Sequence, residues 1–260
     1  MSGAPDPRPA DPLTVMKRTS SYRRLVHSSH LTAFEVVVKE TDLQIHAEKP
    51  LPRLAKELVL KYRAQLESYI ERYPEFAATL VPWEAPGPVP QLIGDMIRAG
   101  RKAGVGPMAA VAGAIAEFVG RDLLAHSAEV IVENGGDIFL KTRKTLTVGI
   151  YAGKSPLSLK LGLELDPGDK PMAVCTSSGT VGHSLSFGKA DAVCVLSRSC
   201  VLADAIATAV GNRVKSSADI RTGVTFGRQI DGVTGLVIIV GDRIGLWGQV
   251  QLVPLIRKKG

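Results

Sequence analysis

Ala128-Glu129-Val130-Ile131-Val132-Glu133-Asn134-Gly135-Gly136-Asp137-Ile138-Phe139-Leu140-Lys141-Thr142 sets two apolar runs, 128–132 and 138–142, on either side of a glycine pair. Two successive glycines permit positive φ, so the stretch reads as strand, tight turn, strand. The same pattern continues downstream in Leu146–Ile150, Leu157–Leu165, Met172–Cys175 and Ala192–Leu196. Leu236–Val240, a Gly241-Asp242 turn and Arg243–Val253 close the chain as a hairpin. Upstream, Phe34–Val38 and Leu43–Ala47 flank a turn at Glu40-Thr41-Asp42, with Tyr22–Val26 expected as another strand beside them.

Helices account for the rest. Leu54, Leu58, Tyr62, Leu66 and Ile70 recur at intervals near four, with Pro52 in the first turn and Pro74 ending the run. Prolines 82, 86, 88 and 90 make Val81–Pro90 a loop. Further helices are expected over Gln91–Lys102, over Pro107–Ala125, which is rich in alanine and glycine, and over Ser199–Asn212. Helices beside a mainly antiparallel sheet give an α+β fold, and the lack of strict strand–helix alternation argues against a doubly wound sheet. Residues 1–14, proline-rich and polar, are expected to be a disordered tail, and 15–260 a single domain.

Composition narrows the functional classes. With 45% hydrophobic residues the chain can bury a large core. No run approaches membrane-spanning length, and the N-terminus carries neither an apolar signal core nor a lipid-accepting cysteine, so a cytoplasmic location without membrane association is expected. Cys175, Cys194 and Cys200 fit neither a disulfide framework nor a zinc site, and read as small buried hydrophobes. The net charge of +7 is spread along the chain, and no aromatic residues interleave with the basic clusters. A surface that attracts small anionic ligands is therefore expected rather than nucleic acid.

On the helix 199–212, Asp204 and Thr208 lie four residues apart and share a face, with Leu202, Ile206 and Ala209 opposite and only Ala203 and Ala207 alongside. A carboxylate and a hydroxyl beside bare backbone can begin a hard-cation shell, which other oxygens must complete. Read from the residues alone, a solvated surface face is the favoured account of the same pair. Asn134–Asp137 and Thr176-Ser177-Ser178-Gly179 could each aim amides or hydroxyls at an anion, or be ordinary polar turns.

Ala203-Asp204-Ala205-Ile206-Ala207-Thr208-Ala209 resembles the Ala-Asp-Ala-Leu-Ala-Thr-Ala signature of the ApbE-like FAD:protein FMN transferases. Val132–Ile138 resembles the family's Asn-Leu-Gly-Gly-Asp-Ile turn, and Ala173–Gly179 its Ala-Val-Ala-Thr-Ser-Gly segment, in the same order. The resemblance covers roughly residues 107–212 and implies an ApbE-like, T-fold-like domain.

It also implies a set of roles. Asp204 and Thr208, with the carbonyls of Ala207 and Ala109, would hold Mg²⁺ against the pyrophosphate of FAD. Asn134, Gly135, Gly136, Asp137, Thr176, Ser177, Ser178, Gly179 and His183 would line the flavin (FAD or FMN) site, with His183 and Asp204 catalytic. The acceptor would be a threonine of a partner protein. The chain departs from the family pattern where Ala112 precedes Gly113 in place of a lysine, and where Ser184–Lys189 replaces an Asp-Pro-Arg-Thr-Gly element. Two readings follow: a shortened branch with Mg-dependent FMN-transferase or FAD-cleaving activity, or a non-catalytic flavin or anionic-cofactor binder. A homodimer is expected from the general frequency of symmetric pairs.

Overall fold

The computed structural model describes residues 30–179 and 187–255. The expected tail 1–14, the expected strand Tyr22–Val26 and His183 lie outside the described residues.

Eight strands form one large sheet: β1 (Thr32–Val38), β2 (Thr41–Ala47), β3 (Val130–Asn134), β4 (Asp137–Lys141), β7 (Met172–Ser177), β8 (Ala192–Ser197), β9 (Val233–Val240) and β10 (Arg243–Gly248). They lie side by side in that order. Three more, β5 (Leu146–Gly149), β6 (Leu161–Leu165) and β11 (Gln251–Pro254), make a small sheet in the order β11-β6-β5. Every described ladder is antiparallel. Mixed helix and antiparallel sheet is the expected α+β class.

Strand alternation sends side chains to two cores. Val132, Phe139, Ala173 and Cys175 face the helices, whereas Ile131, Leu140, Val174 and Cys194 face the small sheet. The result is three layers, with the large sheet in the middle.

The helices are α1 (Pro52–Arg72), α2 (Glu75–Ala78), α3 (Gln91–Ala103), α4 (Val111–Leu123), α5 (Cys200–Arg213) and α6 (Ile220–Arg228). In α1 the deepest face is Ala55, Val59, Tyr62, Leu66 and Tyr69, rotated slightly from the expected stripe; Leu54, Leu58 and Ile70 flank it half-buried. The expected helix 107–125 is broken. Pro107–Ala110 is a 3-10 turn, and Ala110 (φ −121°, ψ 8°) leaves helical geometry before α4 starts. The expected terminal hairpin is also divided: β10 pairs with β9, and β11 crosses to β6 in the small sheet. Among the described residues, no single helix is long and apolar enough to cross a membrane.

Candidate functional site

Helix α5 lies on the sheet against β7 and β8, with α3, α4 and the 3-10 turn packed around it. From Cys200 to Gly211 every residue is buried except Asp204 and Thr208, which are half-buried. The solvated-face alternative therefore fails. Ala203 and Ala207, expected to leave the pair open on both sides, are buried as well. The polar pair is the half-buried part of an otherwise buried stretch, Cys200–Gly211.

Asp204 Oδ2 accepts the Gly113 N–H at 2.9 Å, and the Ala112 amide also serves this carboxylate. Asp204 thus caps the start of α4 from another helix, supplying what Ala110 at the N-cap position cannot. Gly113 makes the approach possible: a Cβ there would sit 2.5 Å from the Cys200 carbonyl oxygen and 2.8 Å from Asp204 Cβ.

Asp137 reaches the same point from β4. It is 6% exposed, accepts the Thr176 N–H at 3.2 Å, and is in hydrogen-bonding contact with Asp204 and the Cys175 thiol. Asn134 Nδ2 donates to the Ala112 carbonyl at 3.0 Å, tying the β3–β4 turn to the start of α4. The three sequence motifs, far apart in the chain, therefore meet at one carboxylate pair.

Burial raises both acids. Asp204 is pushed up to about 7 by loss of solvent, against the opposing pull of the Gly113 and Ala112 amides. Asp137 is raised well above the ordinary carboxylate range by burial and then by the charge of Asp204. Two carboxylates this close hold a proton between them when no cation is present.

The remaining expected residues divide. Gly135 (φ 64°) and Gly136 (φ 108°) form the two-residue turn between Asn134 and Asp137, and the Gly136 amide is engaged by Glu133 Oε1 at 2.8 Å. Thr176 Oγ1 points at Cys194 Sγ, 3.4 Å away on the small-sheet face, so Thr176 serves the carboxylates through its backbone only. Ser177 alternates back to the helix face with Cys175. Ser178 follows the strand, and the Gly179 amide donates to the Ala190 carbonyl at 2.9 Å. Ala109 lies in the 3-10 turn that packs against α5, and Ala207 lies inside α5 between the two polar residues.

Sequence reasoning missed three buried groups around the pair. Cys175 and Cys200 place their sulfurs 3.4 Å apart beneath it. Glu117 is buried one turn along α4. All three cysteines are free and buried, as expected, and burial pushes Cys194 and Cys200 up to about 11. At pH 8 none of the three thiols is expected to react with an aromatic disulfide reagent within minutes, and all three should react once the chain is unfolded. Rapid native labelling at any of them would contradict the packing.

Among the described residues no group of three or more His, Cys, Asp or Glu side chains is arranged to hold a metal. The side-chain oxygens at hand are hard and too few for a complete shell: two carboxylates in contact and the Thr208 hydroxyl one turn along α5 from Asp204. That suits magnesium, which keeps waters and substrate oxygens in its shell, and does not suit zinc. Two acids raised by burial, Asp137 further by the charge of Asp204, also fit a place where positive charge is wanted.

A family model described as "AbpE bacteria" matches residues 23–230. The UPF0280 protein of Methanocella arvoryzae is 40% identical over 92% of this chain and 92% of its own length. That of Methanosarcina acetivorans is 43% identical over 82% and 85%. Among solved structures, the apo flavinyl transferase ApbE of Pseudomonas stutzeri superposes with a TM-score of 0.55 at 16% identity, over 84% of this chain and 93% of that one. The ApbE protein of Thermotoga maritima gives 0.53 at 15% identity, over 83% and 96%. At such identities these two matches speak for the fold.

Proposed function

The chain belongs to the ApbE-like family described by that model, and from this premise we propose that it is a magnesium-dependent enzyme acting on the pyrophosphate of FAD. In this reading it transfers FMN to a threonine of an acceptor protein or releases FMN and AMP. The observation that carries the reading is the meeting of Asp137 and Asp204, with Asp204 and Thr208 the two half-buried residues in the otherwise buried stretch Cys200–Gly211.

Asp204 and Thr208 would hold the cation with the Ala109 and Ala207 carbonyls, and Asp137 would add charge behind them. A bound Mg²⁺ supplies neutralisation of the charge that develops on a leaving phosphate. The chain's own groups do the positioning. The amides of Gly113 and Ala112 fix one oxygen of Asp204, and the Thr176 amide fixes Asp137. Asn134 keeps the glycine turn against α4. His183, with Ser177, Ser178 and Gly179 at the strand end, would meet the flavin side.

One observation favours a second reading, that of a non-catalytic flavin carrier. Where the family signature has a lysine, this chain has Ala112, whose carbonyl is already taken by Asn134. A titration with FAD, with and without Mg²⁺, followed by mass analysis of the small molecules, separates the two. Metal-dependent binding with AMP release is the expected result. Tight binding without AMP would establish the carrier, and no binding would refute both.

A further inference from the structure

Helix α4 is built from alanine, glycine, valine and other apolar residues, with one carboxylate in its buried interior: Glu117, 1% exposed. Glu117 Oε2 accepts the Val201 N–H at 3.0 Å and the Ser199 hydroxyl at 3.1 Å, and Oε1 is paired with Arg121. Ser199 in turn caps α5 by accepting the Leu202 N–H at 3.3 Å. Glu117 therefore closes the start of α5 from the neighbouring helix.

Asp204 does the converse, closing the start of α4 through Gly113. Each helix plants a carboxylate on the other's N-terminal amides, 117 on 201 and 204 on 113. Anions at helix starts are favoured by both hydrogen bonding and the helix dipole. Gly113 removes the side chain that would hold the helices apart. Two fixed points about 4.5 Å apart along α5, at 201 and 204, set its height against α4.

We propose that Glu117 is a positioning residue: by anchoring the first turn of α5 it fixes where Asp204 and Thr208 stand relative to Asp137 and the start of α4. This rests on the reading of Asp204 and Thr208 as cation-holding groups, and extends it to a residue that touches neither. Removing Glu117 leaves the Val201 amide and the Ser199 hydroxyl without their buried acceptor. The first turn then shifts to find another, carrying Asp204 with it.

The test compares Glu117→Ala and Glu117→Gln with the parent protein. Site-resolved amide hydrogen exchange at Gly113 and at β8 residues is measured together with Mn²⁺ affinity, at a temperature where circular dichroism shows each protein folded. In Glu117→Ala, Gly113 should exchange at least tenfold faster relative to the β8 amides, and Mn²⁺ should bind at least tenfold more weakly. Glu117→Gln, which keeps an acceptor oxygen, should recover most of both. If Glu117→Ala does not fold, Ser199→Ala, which removes one partner only, should show the same pattern at smaller amplitude. Acceleration at Gly113 no greater than in β8 would mean a purely structural role and overturn the proposal. A parent protein that binds no Mn²⁺ would sink the cation reading instead, and the exchange at Gly113 would still decide the role of Glu117.

Discussion

Replacing Asp137 by asparagine is expected to make the cation-free protein more stable at pH 8 while weakening its hold on a divalent cation. Both Asp137 and Asp204 have folded-state pKa values raised above their ordinary value of 3.8. For an acid raised in this way, the favourable term is fully present below the unfolded pKa. It is lost as pH climbs toward the folded one, about 7 for Asp204. The parent protein in chelator should therefore melt lower at pH 8 than at pH 5 through this pair. The Asp137→Asn variant keeps an oxygen for the Thr176 amide and removes one charge, so the drop should shrink. Without that charge, Mn²⁺ or Mg²⁺ affinity should fall roughly 10- to 100-fold, the usual effect of losing a supporting carboxylate. Thermal midpoints at the two pH values and one metal titration check both halves. A variant less stable than the parent at pH 8 would mean that the paired charges are not in conflict.

The second large effect is expected at Gly113. In Gly113→Ala the new Cβ meets the Cys200 carbonyl oxygen at 2.5 Å. That atom is backbone, so no side-chain rotation relieves the contact and α5 must move away from α4. Alanine returns about 0.5–1 kcal/mol through helix propensity, but overpacking of this kind costs about 1–3 kcal/mol. The cost wins. The net cost is up to about 2.5 kcal/mol, so at about 2–4 °C per kcal/mol for a domain of this size the midpoint should drop by up to roughly 10 °C. Cation affinity should fall with it, because Asp204 Cβ is the second atom in the way. Gly87→Ala is the control: nothing lies within 4 Å of a Cβ at that position. A Gly113→Ala midpoint equal to that of the control would refute the close approach.

Period-two strands and proline boundaries carried most of the fold in the sequence. The glycine pair at 135–136 marked a hairpin turn, and Pro52 and Pro74 bracketed α1 within two residues. What stayed hidden depended on tertiary partners. Helix α6 (Ile220–Arg228) leaves no clear signal in the sequence, since its glycines at 223 and 227 weaken the helical pattern. Those glycines lie against Ile238 and Leu236 of β9, contacts that local pattern does not contain. Asp204 and Thr208 are legible as a face of one helix, but the packing that buries the rest of Cys200–Gly211 comes from α3, α4 and the sheet. Asp137 was read as part of a ligand-lining turn; its contact with Asp204 arises from the β4–β7 ladder and the helix above it. Thr176 shows the opposite error, because strand alternation turned its hydroxyl to the far face.

The ladder between β2 and β3 joins Ala47 to Val130, with α1, α2, α3, the 3-10 turn and α4 strung between them. Closing so long a loop costs about 4 kcal/mol of chain entropy before any strand contact repays it. The first hairpin, β1–β2, can form locally, yet it finds its neighbour in the sheet only after the helices have collapsed into a compact insert. The carboxylate pair is then a late product of folding, since it needs α4 from inside that insert and α5 from beyond it. Slow refolding, with an early hairpin and a waiting helical cluster, is the kinetic signature built into this order of strands.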